Sequence, residues 1–401
     1  MPSSSKPLRI AYLLSQYPAV NHVFMLREVR LLRQLGFEIH VASIRDPDRE
    51  PAAMTATERE ETLSTYYVKS AGLFRVIAAH LHMLATRPSS YIRALFGSLR
   101  AGAGGLFYFV EAVVVGHWMN ANRLSHLHTH YVSTVGRIVA RILPATLSVT
   151  FHGPAEFQDP NGFGLADKIQ ASRFACAISQ YGLSQLMYAA DYRQWQKLEL
   201  TPLGVDLNAF HPRPFRPSPL PFQIVSVGRL APVKGQHLLV EAIAALAKDG
   251  RQVRLRLAGD GPDRTALQQH ADRRGLAEQV VFEGNLNQDA LKELYRESDA
   301  LVLASFAEGL PVVLMEAMAM EVPCVAPWVN GIPEIITHER DGFLVPPGNA
   351  PALASAIGRL MDDTELRRTL GQNARLKIAD KFNLQRNTDH LADVFRRRLQ
   401  K

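Results

Sequence analysis

The stretch from Ala300 to Ala319 constrains this chain most. Ala300-Leu301-Val302-Leu303 is wholly apolar, as in a strand covered on both faces. A tight turn, Ala304-Ser305-Phe306-Ala307-Glu308-Gly309-Leu310, then leads into a helix that starts by Pro311 and carries Val312-Val313-Leu314-Met315-Glu316-Ala317-Met318-Ala319. Pro311 suits the first helical turn, where a missing N–H costs nothing. Gly309 allows the backbone to come close to a ligand. The unpaired amides of such a helix start attract anions. Glu308 precedes the helix and Glu316 projects from its second turn, so two carboxylates bracket the anion site. A phosphate flanked by polyols would fit: amides for the phosphate, one Glu for sugar hydroxyls, the other for a ribose diol.

The same strand–helix alternation runs through the rest of the chain. Leu8–Leu14 is a first strand, His22–Leu35 a helix closed by Gly36, and Phe37–Ile44 a second strand. This is a βαβ unit. Leu147–Phe151 and Phe174–Ile178 continue the series. Repeated prolines from Phe210 to Pro221 interrupt it with a stiff, extended connection. The rhythm restarts with strand Phe222–Val227, loop Gly228-Arg229-Leu230 and a helix from Lys234 to about Lys248. Strands Val253–Ala258, Val280–Leu286 and Pro323–Ala326 follow. The expected layout is a first α/β domain over 1–207, a linker over 208–221 and a second α/β domain over 222–383. A last helix over 384–401 completes it, with Arg396-Arg397-Arg398 suited to its C-terminal dipole. Neither the loop after the first strand nor Gly259-Asp260-Gly261 carries the three-glycine dinucleotide fingerprint.

Several segments invite other chemistry. Asp46-Pro47-Asp48 has metal-binding spacing but lies in a polar, loop-like stretch from Asp46 to Leu63, so it is expected to be a solvated turn. In His126-Leu127-His128-Thr129-His130, strand alternation puts alternate side chains on opposite faces. No Cys or carboxylate lies close behind, so no metal is expected. His152, delivered by strand Leu147–Phe151 and followed by Gly153, can hydrogen-bond a sugar hydroxyl. Residues 70–120 are helical in pattern, with Arg75, Arg87, Arg93 and Arg100 among apolar residues. Gly102–Gly116 is too short to span a bilayer. It reads as a core helix, the favoured reading, or as a surface that dips into the membrane interface, and the two can hold for different parts of it.

Charge bears on partners. Of the net +7, all falls in residues 1–216, which hold 22 Lys and Arg against 15 Asp and Glu. That suits an anionic membrane surface or polyanionic acceptor. No dense basic run is interleaved with aromatics, which argues against nucleic acid. Cys176 and Cys324 lie far apart in apolar surroundings and are expected as buried thiols. The polar lead Met1–Pro7 has no secretory apolar core behind it.

In combination the motifs resemble a known family. The pair Glu308 and Glu316 around Gly-Leu-Pro, Gly228-Arg229-Leu230 with Lys234-Gly235, Ala258-Gly259-Asp260-Gly261-Pro262 and Asn330-Gly331-Ile332-Pro333-Glu334 are similar to retaining family 4 glycosyltransferases. Ser15-Gln16-Tyr17-Pro18, His128-Thr129-His130-Tyr131, Phe151–Phe157 and Ile178–Leu186 resemble the colanic-acid type of exopolysaccharide enzyme. The resemblance implies the GT-B fold: two facing doubly wound Rossmann-like domains with an interdomain cleft. It implies transfer of a hexose-type sugar from a UDP- or GDP-sugar to an acceptor hydroxyl, with retention, an α-linkage, and no metal or cofactor. Gly228, Arg229, Lys234 and the amides around Gly309, Leu310 and Pro311 would carry the diphosphate. Glu308 would hold donor-sugar hydroxyls, Glu316 the ribose and Leu286 the base, while His152 would orient the sugar. The implied partners are a lipid-linked oligosaccharide or polysaccharide acceptor and the cytoplasmic face of an anionic membrane, touched peripherally. Two alternatives stay open: a nucleotide-sugar 2-epimerase, and a non-catalytic sugar-nucleotide-binding scaffold.

Overall fold

A computed structural model describes residues 7–400; the lead Met1–Lys6 lies outside the described residues. The chain divides into two compact units. One comprises the chain up to Ile178, Gly182–Thr201 and everything from Thr388. The other comprises Ser179–Tyr181 and Pro202–Asn387. Each is built on a parallel sheet.

The first unit runs β1 (Arg9–Gln16), α1 (Val23–Gln34), β2 (Glu38–Arg45), α2 (Ala56–Ser64) and β3 (Tyr66–Tyr67). Helices α3 (Leu73–Thr86), α4 (Pro88–Leu99) and α5 (Gly102–Ala121) follow, then β4 (His126–His130), β5 (Thr146–Phe151), β6 (Phe174–Ala177) and β7 (Leu198–Leu200). The strand order is β3-β2-β1-β4-β5-β6-β7. Ile10 to Leu14 are all fully buried, as a central parallel strand requires. The final helix, Leu384–Leu399, supplies Leu391, Ala392, Val394 and Phe395 to the core formed by Tyr12, Val29, Phe37 and Phe174.

Two expectations change here, those for the stretch 46–63 and for the final basic run. The stretch 46–63 is not all loop: Thr55 and Glu58 form a reciprocal capping box that starts α2. Asp46 accepts a hydrogen bond from Ser70, and Asp48 pairs with Arg49 and accepts from the amide of Val20, so both acids are used within the loop. The final basic run does more than complement a dipole, because Arg397 and Arg398 both pair with Glu199, at 2.8 and 2.6 Å. Helix α5 is divided: Phe109, Ala112–Gly116 and Met119 are buried, whereas Leu106, Phe107 and Tyr108 are exposed.

The second unit holds β8 (Phe222–Val227), β9 (Val253–Ala258), β10 (Val280–Gly284), β11 (Ala300–Val302), β12 (Cys324–Pro327) and β13 (Phe343–Val345). Their order, β10-β9-β8-β11-β12-β13, reverses direction at β8 and β11, the switch point where α/β sheets bind ligands. The proline-rich segment before β8 is pinned to this unit. Phe210 is fully buried, Arg216 pairs with Asp299, and Arg367 donates to the carbonyls of Arg216 and Pro217. Both cysteines are free and buried; burial pushes the Cys176 thiol up to about 12 and raises that of Cys324 as well.

Candidate active site

In the second unit, the residues after β8 and β11 meet at the switch point. The helix expected to begin at Pro311 runs Val312–Ala319, with Pro311 at its N-cap and extended at φ −70°, ψ 111°. Its first amides have no partner inside the helix. The turn leading to it is tied to the loop after β8, since the amide of Phe306 donates to the carbonyl of Val233 at 2.8 Å. Gly235 explains how close the two loops come. Its φ is +61°, and a Cβ there would lie 2.4 Å from the carbonyl oxygen of Ala304.

Across this junction Lys234 Nζ meets Glu308 Oε1 at 2.7 Å. The hydroxyl of Ser305 donates to the same oxygen, also at 2.7 Å, and the Glu308 amide donates to Asn330 Oδ1 at 3.2 Å. Glu308 is thereby held almost buried, 7% exposed, with one carboxylate oxygen occupied twice and Oε2 bonded to no described residue. Arg229 is exposed, and its guanidinium contacts no described carboxylate; only its carbonyl is used, by Gln236. Gly228, Arg229, Lys234, Glu308, Gly309, Leu310 and Pro311 all lie on the two loops at this junction. Leu286 follows β10, partly exposed. Glu316 is placed differently: it is 2% exposed and accepts from the Tyr295 hydroxyl at 3.2 Å, beneath the first helical turn.

In the first unit, His152 follows β5 and is buried. The histidines of β4, two residues apart, share one face instead of dividing between faces. They join His152 in one hydrogen-bonded chain. The carboxylate absent from the local sequence arrives from α1: Glu28 Oε1 lies 3.3 Å from His130 Nε2 and accepts from the Tyr12 hydroxyl at 3.0 Å. Glu28, His128 and His130 have the residue types of a metal site, with ligand atoms within 4.8 Å of one another.

Because a carboxylate only accepts, Glu28 Oε1 at 3.3 Å favours the proton of His130 at Nε2. His130 Nδ1 must then accept from His152 Nε2–H, 2.7 Å away. His128 Nε2, 3.0 Å from His130 Nε2 and 3.1 Å from Thr150 Oγ1, accepts, so its Nδ1–H donates to Ser148 Oγ at 2.7 Å. The Ser148 hydroxyl donates to His126 Nε2 at 2.8 Å, and His126 Nδ1–H donates to Thr146 at 2.7 Å. Burial keeps three of the rings neutral: it lowers His128 and His152 well below the ordinary range and His126 to about 3. The chain ends at His152 Nδ1, a buried lone pair bonded to no described group.

The ring of His152 stacks on Tyr131 at 4.7 Å, and Tyr131 stacks on His22 at 5.0 Å. Tyr131 takes φ +65°, a backbone strain of the kind that gathers at functional sites. Nearby, burial lifts the Glu156 carboxyl to about 7, although Lys168 opposes the shift. Sequence reasoning gave no role to Ser305, Tyr295, Glu28 or Glu156. Ser305 and Glu156 lay inside quoted motifs; Glu28 and Tyr295 are brought in by tertiary packing and had no local signal.

Residues 212–377 match the family described as glycosyl transferases group 1. Over nearly its whole length the chain is 24% identical to a protein of Escherichia coli K12. That protein bears the provisional name colanic acid biosynthesis glycosyltransferase WcaL, and the alignment covers 96% of this chain and 99% of the relative. It is 36% identical to the alpha-D-kanosaminyltransferase of Streptomyces kanamyceticus over 43% of this chain, which is only 45% of that enzyme. Among solved structures, Anabaena Alr3699/HepE in complex with UDP and glucose superposes with a TM-score of 0.74 at 19% identity, covering 97% of this chain and 99% of that one. Residues 212–377 are therefore similar to the group 1 glycosyl transferases, and the chain as a whole shares the GT-B fold of its structural neighbours.

Proposed function

We propose that the chain is a retaining glycosyltransferase of exopolysaccharide biosynthesis. It moves a hexose-type sugar from a UDP- or GDP-sugar to a hydroxyl of a lipid-linked oligosaccharide, at the cytoplasmic face of the membrane, without metal or cofactor. The observation that carries the reading is the Lys234–Glu308–Ser305 cluster in front of the helix Val312–Ala319. A nucleotide-sugar is the natural ligand for a cation, a carboxylate and a helix N-terminus on adjoining loops. The resemblance to a relative named for colanic acid, and to a structure holding UDP and glucose, supports the same ligand class.

In this mechanism Arg229, Lys234 and the amides around Gly309–Pro311 stabilise charge on the departing diphosphate. Glu308 Oε2 accepts donor-sugar hydroxyls. Glu316 serves the ribose and Leu286 the base. His152 Nδ1 accepts a sugar hydroxyl. The anomeric carbon–phosphate oxygen bond breaks while the acceptor oxygen bonds to the same face. The acceptor proton passes to the leaving phosphate oxygen.

Calorimetry with UDP and GDP tests the donor site, and one of them should bind. Ligand at a hundred times its Kd should add ~2.7 kcal/mol of stability. Transfer from the matching α-linked donor to a lipid-diphosphate oligosaccharide should yield an α-linked product by NMR. If neither nucleotide binds, the proposal fails.

A further inference from the structure

Helices α3, α4 and α5 pack on one another through Ala79, Met83, Ala94, Ser98, Gly105 and Phe109. The contact is fixed by His80 Nδ1 and the Tyr91 hydroxyl at 2.8 Å, with both rings against Phe109. The outward faces are apolar. Phe74, Ile77, Leu81 and Leu84 recur at three- and four-residue spacing, a stripe along α3, and are 42–89% exposed. On the neighbouring helices Phe96 is 61% and Phe107 74% exposed. Among the described residues, eleven of the 22 exposed large hydrophobic side chains fall between Leu73 and Tyr108. Half of the exposed apolar groups thus occupy less than a tenth of the chain, a concentration that solvent alone does not favour.

The charge around this face is one-sided. No Asp or Glu occurs from Thr62 to Val110, while Lys69, Arg75, Arg87, Arg93 and Arg100 do. Arg75, Arg93 and Arg100 are exposed, and none is in an ion pair with a described carboxylate. A protein partner or a second copy would have to place apolar groups opposite the stripe and acids opposite the arginines. An anionic bilayer offers both at once: acyl chains below a negatively charged headgroup layer. Among the described residues no helix is long and apolar enough to cross a membrane, so the face can lie in the interface and not span it.

We infer that the outward face of α3, α4 and α5 docks on anionic phospholipid, with Phe74, Phe96 and Phe107 entering the acyl boundary and Arg75, Arg93 and Arg100 at the headgroups. This specifies the membrane contact of the proposed function. It rests on residues separate from the nucleotide site, so either can fail without the other.

The test is co-sedimentation of the full chain with phosphatidylglycerol–phosphatidylcholine vesicles and with pure phosphatidylcholine vesicles at 0.15 M salt. The parent should pellet with the anionic vesicles at least tenfold more than with the neutral ones. The triple change Phe74→Ser, Phe96→Ser, Phe107→Ser should abolish pelleting, with its melting temperature and monomer mass unchanged. Arg75→Glu, Arg93→Glu, Arg100→Glu should erase the preference for anionic vesicles by a factor of about 10 or more. The inference is overturned if the parent stays in solution with both vesicles. It is also overturned if the serine variant pellets like the parent, or if the parent is a dimer that the serine changes dissociate.

Discussion

His152 Nε2 lies 2.7 Å from His130 Nδ1, and His130 Nε2 faces the Glu28 carboxylate at 3.3 Å. This order leaves His152 one protonation pattern, with the proton on Nε2 and a bare Nδ1. Long-range 15N correlation spectra at pH 7 should show His130 and His152 as Nε2–H tautomers, and His126 and His128 as Nδ1–H. Glu28→Gln introduces an amide that can donate as well as accept. It should broaden or shift the His130 and His152 signals and leave His126, at the far end of the chain, nearly unmoved. Identical spectra for parent and variant would show that Glu28 does not set the pattern.

The buried rings also make stability depend on pH. His126, His128 and His152 stay neutral in the fold, but below about 6.5 each takes up a proton on unfolding. Their contribution is present above pH 6.5 and is lost progressively as pH falls below it, at about 1.4 kcal/mol per unit for each ring. Glu156 acts in the opposite sense. Its carboxyl is lifted to about 7, so its contribution is complete below about 4.5 and is lost as pH rises to 7. From pH 7 to pH 5 the three rings outweigh the one carboxyl, and a net loss of at most about 4 kcal/mol is expected. Urea unfolding at pH 7, 6 and 5 measures it. Glu156→Gln should steepen the fall by removing the opposing group.

The parallel α/β plan was legible because covered strands must be apolar on both faces. Ile10–Leu14 and Ala300–Val302 announce themselves for that reason. The closeness of the loops after β8 and β11 was equally legible, since Lys234, Glu308 and Pro311 are named by short motifs that the fold brings to adjoining turns. The histidine chain was not. Spacing alone showed His126, His128 and His130 as alternating residues, but their meaning depends on Glu28, about a hundred residues earlier, and on Ser148 and Thr150 in register beside them. The burial of Glu316 against Tyr295 was hidden for the same reason, because a local pattern cannot say what lies beneath a helix.

Lys234 and Arg229 differ in burial, and their contributions should differ accordingly. The Lys234 side chain is 27% exposed and held against Glu308, while Arg229 lies in solvent. Lys234→Ala should weaken binding of the nucleoside diphosphate roughly 10- to 100-fold, the range for a hydrogen bond to a charged group. Arg229→Ala should cost less, and its effect should shrink at high salt because solvent and ions screen it. Calorimetry at low and high ionic strength separates the two. Equal losses, or no loss for Lys234→Ala, would remove the lysine from the site.

Gly331 is a more demanding check on the site's architecture. A Cβ at this position would lie 2.0 Å from the Gly309 carbonyl oxygen and 3.2 Å from its carbon, so the turn leading to Pro311 would have to move. The φ of Gly331 is −84°, which any residue adopts, and the effect is therefore purely steric. One residue earlier, Asn330 holds the Glu308 amide, so a shift of this loop would also release that hydrogen bond. Gly331→Ala should destabilise the unit by about 1–3 kcal/mol, as overpacking does, and lower nucleotide affinity at least tenfold. Gly250→Ala is the control. Its φ is +75° with no atom within 4 Å of the added Cβ, so it should lose about 1 kcal/mol of stability through backbone strain and leave affinity unchanged. If both variants lose stability but neither loses affinity, the close approach of Gly331 to Gly309 supports the fold alone, and the phosphate does not depend on this turn.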